Sequence, residues 1–196
     1  ARILPVIVGL SNANIRISVD TRHANVMKRA TVSGAKIIND VAGLRGDGAM
    51  AAALESGVPV VIMHMKGTPE NMQVDPNYRF APIEIFQFLK MRIDKAIESG
   101  IPASSIAIDP GFGFGKSVIH NLQLVNWLSL FHGLGVVVLF GASRKSSIAK
   151  ISAGELAEDR LAGSLALAAA AWRQGVHILR VHDVAETAQT LSVEEA

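Results

Sequence analysis

Six short runs rich in β-branched residues, at 15–21, 36–41, 58–65, 105–111, 136–144 and 177–184, punctuate this chain, and the segments between them carry helical spacing. In the clearest of these segments Phe86, Leu89, Ile93 and Ile97 share one face, Lys90, Asp94, Lys95 and Glu98 lie off it, and Gly100 closes it. Further helices are expected over 4–13, 24–33, 47–56, 121–132, 160–174 and 185–193, most of them followed by a glycine such as Gly34, Gly57 or Gly175. A repeated βα alternation implies a parallel sheet with helical cover, either an open doubly wound sheet or a closed (β/α)8 barrel. Every run ends on polar side chains: Asp20, Asn39 with Asp40, His64, Asp109, 143–145, and Arg180 with His182. Open sheets gather ligand groups at one switch point, whereas barrels draw on all strand ends at one rim. The expected fold is therefore an α/β TIM-type barrel occupying 1–196 as a single domain. Six βα units are two short of eight, so the first two strands are expected upstream of Ala1.

Composition narrows the partners. At 49% hydrophobic residues the 196-residue chain can fill a core, and its longest apolar runs, 136–140 and 165–172, are too short to cross a membrane. Lys and Arg number 19 against 17 Asp and Glu, a net charge of +2 without any basic block, which argues against nucleic acid and anionic membranes. With no cysteine there is no thiolate nucleophile, disulfide or cysteine zinc site, as suits a cytoplasmic protein. Residues 1–5 show neither an initiator Met nor a signal-peptide pattern, so a start within a longer protein is expected.

Strand side chains alternate, so Arg16, Ser18 and Asp20 share a face, as do Arg180 and His182, and Ser143 and Lys145, with Arg144 opposite. Asp20, Asn39, Asp109, Lys145, Arg180 and His182 could then converge at one rim. Such a set suits a planar heterocycle with donors and acceptors, joined to an anionic group. Each residue also has an ordinary structural explanation. Asp20 and Asp109 could be helix N-caps, Asn39 a turn residue, Arg144 and Lys145 a solvated loop, and His64 a hydrogen-bonded structural histidine. Arg180, inside an apolar strand, must find a partner or face a polar site. The segment 109–117, Asp-Pro-Gly-Phe-Gly-Phe-Gly-Lys-Ser, has Pro110 where a P-loop needs glycine and the wrong spacing for a dinucleotide fingerprint. Its glycines allow a tight loop that brings Phe114 to a ligand, or simply a flexible connection. Gly67, Thr68, Pro69, Asp75, Pro76 and Asn77 mark a long loop after Met65.

The stretches 17–21 (Ile-Ser-Val-Asp-Thr), 37–41 (Ile-Ile-Asn-Asp-Val), 63–69 (Met-His-Met-Lys-Gly-Thr-Pro), 109–116, 143–145 (Ser-Arg-Lys) and 180–183 (Arg-Val-His-Asp) resemble, in order and spacing, the dihydropteroate synthase family of folate biosynthesis. The resemblance spans nearly the whole chain. It implies a transferase that condenses 6-hydroxymethyl-7,8-dihydropterin diphosphate with p-aminobenzoate, releasing diphosphate and forming 7,8-dihydropteroate. It assigns the pterin to Asp109, Asn39, Asp20, Met63, Phe114, Lys145 and Arg180, with Arg180 stacking on the ring. It assigns p-aminobenzoate to Phe114, Ser143, Lys145 and Ser146, diphosphate to Arg180 and His182, and the catalytic roles to Lys145, Arg180 and His182. Further implications are Mg²⁺ as cofactor, competition by sulfonamides and a homodimer formed through late helices.

The family's first strand carries an Asn-x-Thr-Pro-Asp-Ser-Phe segment with the metal-binding asparagine, and the loop after its second carries Ser-Thr-Arg-Pro. Neither occurs in this sequence. No metal ligand is therefore expected within 1–196, and this chain by itself is expected to bind pterin without turning it over. Two alternatives stand beside this reading: a pterin-binding methyltransferase domain working with a corrinoid, and a non-catalytic pterin-binding module.

Overall fold

A computed structural model describes residues 2–196. The chain divides into two compact units, the first formed by residues up to Met65 with Gln87–Ile108, the second by Lys66–Phe86 with Asp109–Ala196.

The first unit opens with α1 (Leu4–Asn12), started by Pro5, and continues through β1 (Ser18–Asp20), α2 (Ala24–Val32), β2 (Ile37–Asp40), α3 (Ala49–Ser56) and β3 (Val60–Met63). Helix α4 (Ala81–Glu98) and strand β4 (Ile106–Asp109) straddle the sequence boundary of the units. β1, β2 and β3 pair in parallel, with Asp20 opposite Asn39 and Asn39 opposite Val61. That register sets the Asp20 and Asn39 side chains next to each other on one face. Ile38, Val60, Ile62 and Met63 are buried, as expected of parallel strands covered on both sides. The turn after β2 is held from within: Asp40, fully buried, accepts from the Ala42 N–H at 2.7 Å and the Leu44 N–H at 2.9 Å. Arg92 of α4 donates to the Gly43 and Leu44 carbonyls at 2.7 and 3.0 Å.

The second unit contains the loop 66–80, the glycine loop 110–116, α5 (Val118–Asn126), a 3-10 helix over Leu128–Leu134, β5 (Val137–Phe140), α6 (Ser146–Ile151), α7 (Leu161–Trp172), β6 (Ile178–Leu179) and α8 (Val184–Glu195). β5 and β6 pair in parallel, Leu139 opposite Ile178 and Phe140 opposite Leu179. Ser117 starts α5 with a reciprocal cap, its Oγ accepting the His120 N–H while its own N–H donates to His120 Nδ1. Six parallel strands with helices between them are the βα grammar of the TIM-barrel class.

Several expectations need correction. The strands are shorter than the runs that announce them, because β-branched composition marks the apolar approach as well as the hydrogen-bonded ladder. β6 ends at Leu179 and β5 at Phe140. Arg180 and His182, and 143–145, therefore lie beyond the strands, where period-two alternation does not apply. The helix expected over 121–132 splits at Trp127 into α5 and the 3-10 helix. In α4 the expected apolar face drifts: Ile97 is exposed and Arg92 takes a buried place, because its guanidinium satisfies carbonyls of the turn after β2.

Candidate functional site

In the first unit the pairing of β1 with β2 produces a short polar ladder. Asn39 Nδ2 donates to Asp20 Oδ2 at 3.0 Å, which fixes the amide plane. Asn39 Oδ1 is then left buried with no hydrogen-bond partner. An orphaned buried acceptor costs about 1–3 kcal/mol unless a ligand satisfies it. Met63, at the end of β3, is buried at 2% exposure. His64 is also buried and meets the Phe88 ring edge-on, consistent with a structural role.

In the second unit Asp109 ends β4, and its Oδ1 accepts the Gly111 N–H at 2.7 Å. Burial pushes its carboxyl up to about 6, against the opposing pull of the Gly111 N–H and of the positive charges of Lys116, Lys145 and Arg180. A carboxylate at the end of a strand, desolvated and faced by three cations, is poised to accept N–H donors from a ligand. The glycine loop that follows turns through left-handed φ values at Gly111, Gly113 and Gly115. Phe114 lies on this loop, and the Lys145 ammonium sits 4.0 Å from the centre of its ring, a cation–π contact.

The loop is pinned from several sides. Gly113 N–H donates to Asn121 Oδ1 at 2.8 Å, and Asn121 Nδ2 to Ser147 Oγ at 2.9 Å. From the long loop, Gln73 Nε2 donates to the Gly113 carbonyl and Tyr78 Oη to the Gly115 carbonyl, both at 2.8 Å. Gly115 has no room for a side chain, since a Cβ there would stand 2.5 Å from the Lys66 carbonyl oxygen at a φ of +63°. Gly115→Ala should therefore destabilise the fold by about 2–4 kcal/mol, read as a lower midpoint in a urea melt. An unchanged midpoint would mean that 66–80 does not rest on this loop.

Beyond β5 and β6 a cavity of about 520 Å³ is lined by Gly141, Ser143, Arg144, Lys145, Arg180 and His182, among others. Ser143 Oγ accepts the His182 backbone N–H at 3.2 Å and stands 2.9 Å from His182 Nδ1. Ser143 Oγ can donate to Nδ1 or accept from it, according to the His182 tautomer. Arg144, in a left-handed conformation at φ 57°, turns away from the strand direction and makes a two-pronged ion pair with Asp183. Its N–H donates to Ser164 Oγ and its carbonyl accepts from Arg160. Ser146 is exposed at the first position of α6.

The structure thus joins Asp20 with Asn39 in one unit, and gathers Phe114, Lys145, Asp109, Arg180, Ser143 and His182 in the other. Neither aspartate is a helix cap, because His23 and Ser117 occupy the N-cap positions of α2 and α5. Arg144 is not a solvated loop residue, and Asp183 is its partner. Sequence reasoning passed over Lys116, Asn121, Gln73 and Tyr78. Only Lys116 had a visible signal, as the cation ending the glycine-rich run.

The pterin binding enzyme family matches residues 1–182. The dihydropteroate synthase of Escherichia coli K12 is 41% identical over 197 residues, covering 100% of this chain and 69% of that protein. Among solved structures, a Yersinia pestis dihydropteroate synthase in a sulfonamide drug complex superposes with a TM-score of 0.96 at 39% identity, covering 99% of this chain and 71% of that one. The Xanthomonas albilineans enzyme in complex with 7,8-dihydropteroate gives 0.93 at 44%, covering 99% and 71%. The same enzyme with 4-aminobenzoic acid gives 0.91 at 44%, covering 98% and 68%.

Proposed function

The chain belongs to the dihydropteroate synthases of the pterin-binding enzyme family, and from that premise we propose what its own residues do in the family reaction. That reaction is a transfer in folate biosynthesis. The bond from the exocyclic methylene of the dihydropterin to diphosphate breaks, the p-aminobenzoate nitrogen bonds to that carbon, and the amine releases a proton.

The observation that carries the assignment is Asp109, a buried carboxylate opposed by the positive charges of Lys116, Lys145 and Arg180. Asp109 accepts the 2-amino and ring N–H donors of the pterin. The family resemblance also assigns pterin contacts to Asn39, Asp20 and Met63, and within their own unit Asn39 Oδ1, oriented by Asp20, is an unsatisfied acceptor. Lys145 donates to the pterin oxo group, and with Phe114, Ser143 and Ser146 it borders p-aminobenzoate. Arg180 stacks on the pterin and, with the His182 ring, stabilises negative charge developing on the departing diphosphate. Catalysis then rests on leaving-group stabilisation, and the amine attacks the methylene cation left behind.

Among the described residues no group of three or more His, Asp or Glu side chains is placed to hold a metal ion. Mg²⁺ is commonly held by one or two side-chain oxygens together with waters and substrate phosphates, and the family resemblance puts its asparagine ligand in a segment that is not among these residues. Turnover by these 196 residues alone is not part of the proposal, because neither the Asn-x-Thr-Pro-Asp-Ser-Phe nor the Ser-Thr-Arg-Pro segment is among them. Sulfonamides would compete at the Phe114 and Lys145 side of the site. Pairing into a homodimer draws support from apolar side chains exposed on and beside the late helices, among them Ile151, Leu156, Val184 and Val193. No described helix is long and apolar enough to cross a membrane.

Calorimetry of the 196-residue chain with 6-hydroxymethyl-7,8-dihydropterin tests the anchor. Affinity should fall as pH drops through about 6, approaching tenfold per unit, because the protonated Asp109 loses its acceptor charge. Pterin affinity that is absent, or constant from pH 5 to 8, would remove Asp109 from this role.

A further inference from the structure

Lys116 is a charged residue in a place where charge is costly. It is 3% exposed, and its ammonium does not point outward as the lysine of a phosphate-binding loop would. It turns back into its own loop, donating to the Gly111 carbonyl at 2.7 Å and the Phe114 carbonyl at 3.0 Å. Those carbonyls bracket the turn that carries Phe114, and the Gly111 N–H is the one that Asp109 Oδ1 accepts. A loop with three glycines has little stiffness of its own.

We propose that Lys116 is a positioning residue of the pterin site, whose buried ammonium holds the glycine loop from within and supplies positive charge opposite the Asp109 carboxylate. The proposal rests on the reading of Asp109 as the pterin anchor. Two functions follow from one group. By fixing the two carbonyls it fixes the Phe114 ring beneath Lys145. By its charge it favours the ionised, accepting form of Asp109 as the pH falls from 7 towards 6.

The charged neighbours are few enough to name. Asp109 is pulled towards ionisation first by Lys116, then by Lys145 and Arg180. Lys116 is pushed down to about 7 by burial, with Asp109 opposing that push and Lys145 adding to it. His120, on α5, is lowered chiefly by burial and then by the charges of Lys116 and Lys66, with Glu84 opposing. Removing the Lys116 charge while keeping its apolar stem should therefore act on Asp109 before any other group.

The test measures affinity for 6-hydroxymethyl-7,8-dihydropterin by calorimetry from pH 5 to 8.5 in the wild-type chain, Lys116→Met and Lys116→Arg. In Lys116→Met the affinity at pH 7 should fall about tenfold or more, and the acidic bend of the profile should move up by about one pH unit, as removal of a close cation requires. Lys116→Arg should return the bend towards its wild-type position. A loss of affinity that is uniform across pH, with the bend unmoved, would mark a purely structural lysine and overturn the proposal. A second measurement does not depend on the variant folding. In wild type, NMR titration of the Asp109 carboxyl carbon and the Lys116 Nζ should show inflections that report on each other, with Lys116 well below an ordinary lysine. A Lys116 that titrates as an ordinary lysine, blind to Asp109, overturns the pairing even if pterin binds. Absent pterin binding in wild type at every pH overturns the anchor reading instead, and with it the positioning role.

Discussion

Asp109→Asn should lower pterin affinity by roughly 10- to 150-fold at pH 7.5, the loss expected when about 1.5–3 kcal/mol of charge-assisted hydrogen bonding disappears. The amide keeps an oxygen for the Gly111 N–H, so the loop need not move. What it loses is the ability to accept from two ring donors at once with full charge. The same substitution should make the unliganded chain more stable, and the sign can be worked out. Burial raises the folded-state value from 3.8 to about 6, so the folded protein disfavours the ionised form. The resulting penalty is complete above about pH 6 and absent below about pH 4. Asn removes it, for a gain of at most about 3 kcal/mol at neutral pH, reduced because Lys116 loses a partner, and of nothing near pH 3.5. Urea melts at those two pH values, beside calorimetry, check both halves. Undiminished pterin affinity would contradict the assignment. Lower stability at neutral pH would show that the Asp109–Lys116 attraction outweighs desolvation.

Arg180→Ala should cost roughly 100-fold in affinity for dihydropterin diphosphate and only about tenfold for the same pterin without diphosphate. The smaller number is the stacking contribution, about 1–2 kcal/mol for a desolvated guanidinium over an aromatic face. The larger adds a charge-assisted contact to phosphate. The side chain is well placed for both: its backbone N–H is fixed to the Phe140 carbonyl at 2.9 Å, and it packs where Gly141 leaves room, in the wall of the cavity that holds His182 and Lys145. His182→Ala should affect the diphosphate form alone. Equal losses of both ligands in Arg180→Ala would confine Arg180 to the ring and remove it from the leaving group.

Most of the fold was legible because its signals are local. Six β-branched runs, the Phe86–Leu89–Ile93 spacing and the glycines after helices all act within a few residues, and each led to an element that exists. Asp20 and Asn39 were legible as candidate ligand groups because polar side chains at strand ends are an expense a core does not tolerate without reason, and the structure pairs them with one buried acceptor left over. The misses are non-local. Alternation predicted that Ser143 and Lys145 share a face, but the strand ends at Phe140 and Arg144 adopts a left-handed conformation that only its ties to Asp183, Ser164 and Arg160 explain. Helix α6, six residues long, is too short to show a period. Lys116 shows in the sequence only as the cation that ends the glycine-rich run, and its carbonyl partners emerge only in the fold. Tyr78 and Gln73 reach the glycine loop across some 40 residues of sequence, with nothing local to announce them.

The Arg144–Asp183 pair places a restriction on how this corner of the protein can change over generations. Each side chain sits next to residues assigned to the reaction, Arg144 between Ser143 and Lys145, and Asp183 after His182. Loss of Arg144 leaves a carboxylate that is 15% exposed without its partner, and loss of Asp183 leaves a guanidinium held beside an empty place. Stranding one member of a partly buried pair costs more than replacing both together. Substitutions here are therefore coupled: replacing Arg144 and Asp183 together should be tolerated better than replacing either alone. The tether makes the two loops a single heritable unit, so variation in this protein should accumulate around the corner rather than within it.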